Sequence, residues 1–481
     1  MNTIQRIVKN TLVLFLSKVI SYLLSFLFIM YTARYLGAEG FGILSFAIAF
    51  TGIFAVFTDL GLNTLTVREV ARDKSLATKY LGNIAIMKLV LVVVTFGLIA
   101  LSINFLGYPK QTIKVVYLIA LSVIFTSFSQ MFYSIFQAYE KMEYQSMGQI
   151  LSSVLILSGA LFAINKNFSV VGFASIYLLV SAVVLSYSFT VCVWKFVLPK
   201  IEVDWSFWKP TIKEALPFGL TGIFVMIYYW IDSVMLSLMK GNEVVGWYNA
   251  AYRLIIIPLF IPSILNIVIF PVMSRFYISS KDAFRFTSER YFKYMAIAGF
   301  PIGVGTTLLA DRIILLIFGV GYMNSIIALQ ILIWSSVFIF LSGAFARLLE
   351  TSNRQITITK ITAINASANV ILNLILIPKF SYIGASITTV ITEFSALMLG
   401  IIACSKIGYK ISKKDLLGLS KVIIASLLMG IFIIYLKDLN LLFLILLAAV
   451  FYFTVLYVLK EFEEEDIKVF QNIISRSSEE E

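Results

Sequence analysis

Histidine is missing altogether from this chain, which removes the commonest metal ligand and the usual proton shuttle near neutral pH. Cysteine occurs only as Cys192 and Cys404, too few for a disulfide framework. Charge is scarce as well. Asp, Glu, Lys and Arg together supply 13% of the 481 residues, about half of what a soluble domain carries. The phosphate-loop signature G-x-x-x-x-G-K-[ST] does not occur, so ATP hydrolysis by that device is excluded. No segment between the apolar runs is long enough to fold as a catalytic domain. The chain therefore reads as a non-enzyme without cofactor or metal site.

What fills the chain instead is apolar. Hydrophobic residues make up 60% of it and the mean hydropathy is +0.94. Runs such as ILSFAIAFTGIFAVF (43–57) are apolar on every side, whereas the strands of a membrane barrel would alternate. In lipid such a backbone is satisfied only as a helix. The expected fold is an all-α polytopic membrane protein with about fourteen transmembrane helices. The spans read as 11–33, 41–62, 81–106, 112–137, 145–165, 169–194, 214–238, 246–270, 291–310, 324–348, 356–377, 382–404, 417–436 and 440–459. The first apolar run is too long for a cleaved signal peptide and reads as span 1.

Of the 38 Lys and Arg residues, 26 fall on the N-terminal side of the membrane, eight on the other, and four within spans. Basic residues concentrate on the cytoplasmic side, so both termini are expected there, in the cell membrane. The net charge of +12 then belongs to loops facing an anionic leaflet and does not point to nucleic acid. Residues 461–481, with Phe462, Ile467, Phe470 and Ile474 at helical spacing, read as an amphipathic cytoplasmic tail. WSFWKP (205–210) reads as a tryptophan marker of the headgroup level.

Several stretches occur twice. GAEGFG (37–42) and GNEVVG (241–246) share the frame Gly-x-Glu-x-x-Gly at an offset of 204. NFSVVGFAS (167–175) returns as KFSYIGASI (379–387), and Cys192 and Cys404 share that offset of 212. Arg68 and Arg275 each open a basic segment after the second span of a half. Spans 1–6 and 7–12 therefore read as copies of one six-helix unit. Six is even, so the copies are parallel: two pseudo-symmetric lobes, with spans 13 and 14 added. The expected divisions are 1–200 (N-lobe), 201–410 (C-lobe) and 411–460 (spans 13–14), followed by the tail. The glycine frames are the equivalent turns joining spans 1–2 and 7–8, where a side chain would hinder a tight reversal.

Charged side chains inside the membrane are unfavourable by about 2.5–3.5 kcal/mol on insertion scales, so each is a functional candidate. Lys18 and Arg253 lie about two turns inside spans 1 and 8, where a cavity role is the simplest reading. Lys88 and Arg347 can either line a cavity or snorkel to the inner headgroups. Asp59 can cap or pair near its helix end. Asp232 and Glu393 are open between ion coupling and counter-ions to the cations. Asn266, Asn369 and Asn373 read as interhelical hydrogen-bonding groups. Cations at more than one level suit an anion too polar to cross lipid, and a phosphate is the obvious class.

The stretches TARYLGAEGFGILSFAIAF (32–50), FTDLGLNTLTVREVARD (57–73), LPFGLTGIFVMIYYWIDSVML (216–236), VGWYNAAYRL (245–254), PVMSR (271–275) and ILNLILIPKFSYIGASITTVITE (371–393) together resemble the Wzx-type polysaccharide flippases. These belong to the multidrug/oligosaccharidyl-lipid/polysaccharide exporter superfamily. The resemblance implies two six-helix lobes around a cavity and alternating access. It also implies transfer of a polyprenyl-(di)phosphate-linked oligosaccharide from the cytoplasmic to the outer leaflet, with Lys18, Arg253, Lys88 and Arg34 as candidate phosphate contacts. Membrane lipids surround it, H+ or Na+ are the candidate coupling ions, with Asp59, Asp232 and Glu393 as candidate acids, and a glycan polymerase or glycosyltransferases are candidate partners. Two other readings are a cation-coupled multidrug exporter of the same superfamily and a non-catalytic scaffold of a glycan-assembly pathway.

Overall fold

The computed structural model describes residues 3–200 and 202–462, with side chains from residue 14 onward except at 221, 267 and 268. Most of the expected tail, from residue 463, lies outside the described residues. No strand occurs among the described residues. The helices are α1 (Thr3–Ala55), α2 (Leu62–Arg72), α3 (Ala77–Phe105), α4 (Lys110–Ala138), α5 (Met142–Asn165), α6 (Val170–Lys195), α7 (Trp205–Lys240), α8 (Asn242–Ile256), α9 (Phe260–Ser279), α10 (Lys281–Ile317), α11 (Ser325–Thr351), α12 (Gln355–Lys406), α13 (Lys413–Tyr435) and α14 (Leu441–Val458). Twelve helical stretches among the described residues are long and apolar enough to cross a bilayer. The all-helical membrane architecture expected from the apolar runs is what the chain adopts.

Two of these helices are far longer than a bilayer requires. α1 has 53 residues and α12 has 52, about 80 Å if straight, against a hydrocarbon core of about 30 Å. Both are interrupted, α1 at Gly37 (φ 67°, ψ 179°) and α12 at Ser381 (φ 55°, ψ −137°). At the second break the chain doubles back. A Cβ built on Gly384 would lie 2.4 Å from the carbonyl oxygen of Leu376, although eight residues of continuous helix would separate the two by about 12 Å. The breaks fall where spans 1 and 2, and spans 11 and 12, were expected to part.

Two details differ from the expectation. The helix of span 2 ends at Ala55, short of the expected 62, and the chain passes through a 3-10 turn (Val56–Thr58) and two positive-φ residues, Leu60 and Gly61, into α2. The basic segment expected as a loop is thus a helix, with Leu62, Leu65, Thr66 and Val70 buried on one face. Span 8 (246–270) is divided into α8 and α9 by a 3-10 turn at Ile257–Leu259. Pro258 sits in that turn; it lacks an N–H and its ring crowds the carbonyl one turn back, which ends α8.

The described chain forms two compact units. The first comprises residues Met1–Ala250, Ile317–Tyr322 and Thr362–Ala385. Within it the Tyr322 hydroxyl donates to the Ala33 carbonyl (2.8 Å), and Tyr108 stacks on Phe46 while its hydroxyl meets that of Ser237 (2.8 Å). The second comprises Ala251–Leu316, Met323–Ile361 and Ser386–Glu481. There Arg312 donates to the carbonyls of Lys437 (2.6 Å) and Leu439 (2.7 Å), pinning the turn between α13 and α14. Phe432 and Phe451 stack at 4.5 Å, and the Tyr452 hydroxyl donates to the Ile297 carbonyl (2.9 Å). Cys192 and Cys404 are both buried and free.

Inside the first unit the two glycine frames meet. Gly37 and Gly241 share one backbone conformation, φ 67° and 88° with ψ 179° and 173°, a region open to glycine and costly for other residues. The last glycine of each frame does something else. A Cβ on Gly42 would lie 1.7 Å from the carbonyl oxygen of Asn242, and one on Gly246 would lie 2.0 Å from that of Ala38. Ala38 and Asn242 are themselves offset by 204, so the contact is reciprocal. Other turns echo it: Gly107 and Gly319 (φ 68° and 87°), and Glu140 and Asn353 (φ 57° each). Gly42→Val and Gly246→Val should each lower the melting temperature of the detergent-solubilised protein, losing about 1–3 kcal/mol from overpacking. Gly343→Ala, where nothing lies within 4 Å of the added carbon, should not.

Candidate functional site

Lys88 is the most buried charge in the first unit. It sits on α3 with no exposed surface, and a lone ammonium there would be unfavourable by several kcal/mol. Its Nζ lies 2.9 Å from Oδ1 of Asp59 and donates to the carbonyl (3.2 Å) and hydroxyl (3.0 Å) of Ser127 on α4. Asp59 in turn accepts the backbone N–H groups of Gly61 (3.2 Å) and Asn63 (3.1 Å), capping the start of α2. One carboxylate thus closes a helix break and neutralises a buried cation. The Lys88 ammonium is fully buried, held by Asp59 and Ser127. Asp59 both caps and pairs, joining two roles that the sequence offered as alternatives.

A second polar cluster joins α7, α8 and α12. Asp232 is 4% exposed; it accepts from the Tyr248 hydroxyl (2.7 Å) and from Nδ2 of Asn373 (2.5 Å). Asn373 also donates to Oδ1 of Asn369 (2.9 Å), while its own Oδ1 is buried without a hydrogen-bond partner. One residue further along α7, Ser233 accepts from Asn249 (3.0 Å). Asn373 bridges helices as expected, and in the second unit Asn266 likewise accepts from the Tyr291 hydroxyl (2.5 Å); the Asn369 bond lies within α12. Carboxylate, amide and hydroxyl oxygens thus gather around Asp232 in a nearly dry setting. Such a carboxylate can take up a proton or a small hard cation.

The remaining candidates are spread along the chain. Lys18 is exposed on α1, and Arg34, sixteen residues on, donates from Nε to the Ile317 carbonyl (2.8 Å). Arg253 on α8 and Glu393 on α12 are half-buried in the second unit. Arg347 pairs with Glu350 one turn along α11 (2.5 Å). Of the seven candidate site residues, the structure therefore pairs Asp59 with Lys88 and encloses Asp232.

One polar hub had no signal in the charge pattern. Oδ1 of Asn83 on α3, fully buried, accepts from the Asp204 N–H (2.9 Å) and from the Trp208 indole (3.0 Å). Asp204 caps α7 by accepting from Ser206 (3.0 Å) and Phe207 (3.2 Å), and Lys79 approaches its other oxygen to 2.8 Å. The Lys79 hydrogen bond holds the Asp204 carboxyl below its usual range. The tryptophan segment is thereby locked to α3 from the side.

Residues 7–277 match the family described as polysaccharide biosynthesis protein. Among curated proteins, the chain is 26% identical to the capsular polysaccharide biosynthesis protein CapF of Staphylococcus aureus, covering 81% of this chain and 97% of that one. It is 24% identical to the probable low-salt glycan biosynthesis flippase Agl15 of Haloferax volcanii, over 80% of each. Among solved structures, its fold is similar to that of the lipid II flippase MurJ in an inward closed conformation. The TM-score is 0.77, with 18% identity, over 94% of this chain and 98% of the other.

The ion pair can be tested by a double-mutant cycle. Asp59→Asn leaves a fully buried ammonium unpaired and should destabilise by about 3–5 kcal/mol; Asp59→Asn with Lys88→Met should restore part of that loss. Thermal unfolding in detergent reads both. Strictly additive losses would mean that the two side chains do not interact.

Proposed function

The chain belongs to the polysaccharide biosynthesis protein family, and from that premise we propose that it flips a polyprenyl-(di)phosphate-linked oligosaccharide from the cytoplasmic to the outer leaflet of the cell membrane. It moves its substrate without altering it and is not an enzyme. Family membership over more than half the chain is the observation that carries this reading. Intramembrane cations agree with it: Lys18 and Arg253 sit in helices where a charge is kept only for a purpose. In this reading they hold the phosphates, with Arg34 near the outer end of span 1 and Lys88 as a reserve cation released if Asp59 protonates or moves. The prenyl chain stays in lipid while the sugars occupy the cavity.

The moving parts are the N-lobe (1–200) and C-lobe (201–410), with fourteen crossings in all once α1 and α12 are each counted as two, and both termini in the cytoplasm. The paired turn conformations at Gly37 and Gly241, and the reciprocal contact of Gly42 and Gly246, support lobes related by a twofold axis. That contact lies at the outer turns and acts as the outer closure, parting when the cavity opens outward. Asp232, with Asn369 and Asn373, is the coupling site for H+ or Na+; the buried acceptor of Asn373 supports a cation there. Glu393 is a second candidate acid.

Leaflet-resolved detection of lipid-linked glycan, in cells with and without the protein, tests the function directly. Outward transfer should vanish without the protein; unchanged transfer overturns the proposal. Lys18→Ala and Arg253→Ala should each reduce transfer roughly tenfold, the scale of one charge-assisted contact, with insertion intact. Normal transfer by both would remove them from the phosphate site. Asp232→Asn should uncouple transfer from the ion gradient, seen as loss of its dependence on an imposed pH or Na+ difference in vesicles.

A further inference from the structure

One intramembrane arginine has no part in the phosphate or ion sites. Arg347 lies in the last turns of α11, and its guanidinium meets Oε2 of Glu350 at 2.5 Å. Its Nε, however, is buried without a hydrogen-bond partner. A buried donor left unmade is unfavourable, so it marks a place for an acceptor. Gly343, Arg347 and Glu350 stand at i, i+4 and i+7, on one face of the helix. That face is the open one. The side chains of Arg347 and Glu350 are 30% and 26% exposed, and a carbon added to Gly343 would have nothing within 4 Å. The opposite face, with Phe345 and Leu348, is buried in the core of the second unit. Asn266 and Phe270 stand one turn apart on α9. Asn266 is held by the Tyr291 hydroxyl (2.5 Å), and the centre of the Phe270 ring, itself 38% exposed, lies 5.9 Å from the Arg347 guanidinium.

This group is neutral as a whole. Glu350 cancels the charge of Arg347, so an anion gains little here and meets a carboxylate as well. What remains is directional: the Nε–H of Arg347, the second carboxylate oxygen of Glu350 and the amide nitrogen of Asn266, beside an accessible aromatic ring. Neighbouring hydroxyls on a sugar both donate and accept, and the C–H face of a pyranose is drawn to the negative face of an aromatic ring. The helix-turn framework does not require the ion pair. Glu140 and Asn353 share a φ of 57° and lie 213 residues apart. At that offset the first half carries Ser134 and Gln137 in place of Arg347 and Glu350.

We propose that Arg347, Glu350, Asn266 and Phe270 form a subsite for an uncharged sugar ring of the transported glycan, with Gly343 leaving room for it. The inference rests on the transport reading above and adds to it a contact separate from the phosphate-binding cations. The Arg347 Nε–H donates to one hydroxyl, Glu350 accepts from its neighbour, and Phe270 covers the ring. Acidic sugars are disfavoured by the Glu350 carboxylate. α11 ends at Thr351, on the side that the transport reading gives to the cytoplasm, so the glycan meets the subsite as it enters.

Equilibrium binding to the full chain in a neutral detergent gives the test, with two probes. One is the lipid-linked glycan extracted from cells that lack the protein; the other is polyprenyl diphosphate, the same lipid without sugars. The wild type should bind the glycan-bearing lipid more tightly. Arg347→Met with Glu350→Gln removes the donor and the charged acceptor while the site stays neutral. It should weaken binding of the glycan-bearing lipid about tenfold, the scale of one hydrogen bond to a charged group, and leave polyprenyl diphosphate unchanged. Gly343→Leu, which fills the open space and leaves the ion pair in place, should do the same. An unchanged preference in either variant overturns the subsite. Equal weakening of both lipids overturns it too, because the residues then serve the phosphate or the fold. A wild type that binds both lipids equally removes the subsite and leaves the transport reading standing, whereas one that binds neither overturns the transport reading and the subsite with it.

Discussion

In hydrocarbon a broken helix finds no water to satisfy the backbone groups it frees, and that constraint organises this protein. Long apolar runs can only be helices, so the interesting positions are where the helices stop. At the end of span 2 the N–H groups of Gly61 and Asn63 are taken by Asp59. At the start of α7 those of Ser206 and Phe207 are taken by Asp204. Each carboxylate then needs a cation, and each has one: Lys88 and Lys79. The buried Lys88 is thus placed by a helix break as much as by any ligand.

This view changes how intramembrane charge is weighed. A lysine inside an apolar helix invites a functional role, yet Lys88 is held inside by the acid that caps α2. Asp232 differs, because it lies within a helix and ties Asn373 of α12 to α7.

Much of the architecture was legible in the sequence, because apolar run length is a direct consequence of bilayer thickness. The position of the break in α1 was legible too, since few residues besides glycine tolerate the backbone found at position 37; that in α12, at Ser381, was marked only by the gap between apolar runs. What could not be read were partners distant along the chain. Nothing near Asn83 marks it as the acceptor for Asp204 and Trp208, more than 120 positions away. Lys88 could not be told from a snorkelling lysine until Asp59 was seen to cap α2 from the adjoining break. The split of span 8 was signalled by Pro258, but an apolar stretch containing prolines, here Pro258 and Pro262, reads equally well as a kinked span.

The two glycine frames differ at every position between their shared residues: Ala38, Gly40 and Phe41 in one, Asn242, Val244 and Val245 in the other. The contact explains why they can. Gly42 and Gly246 each rest on a carbonyl oxygen, a group every amino acid supplies alike. A joint made of main chain against main chain places no demand on the identity of the residue it touches, only on the emptiness of the residue that does the touching. The likeness of the two frames is therefore written in what their shared glycines leave out, and the joint leaves the side chains around them unconstrained.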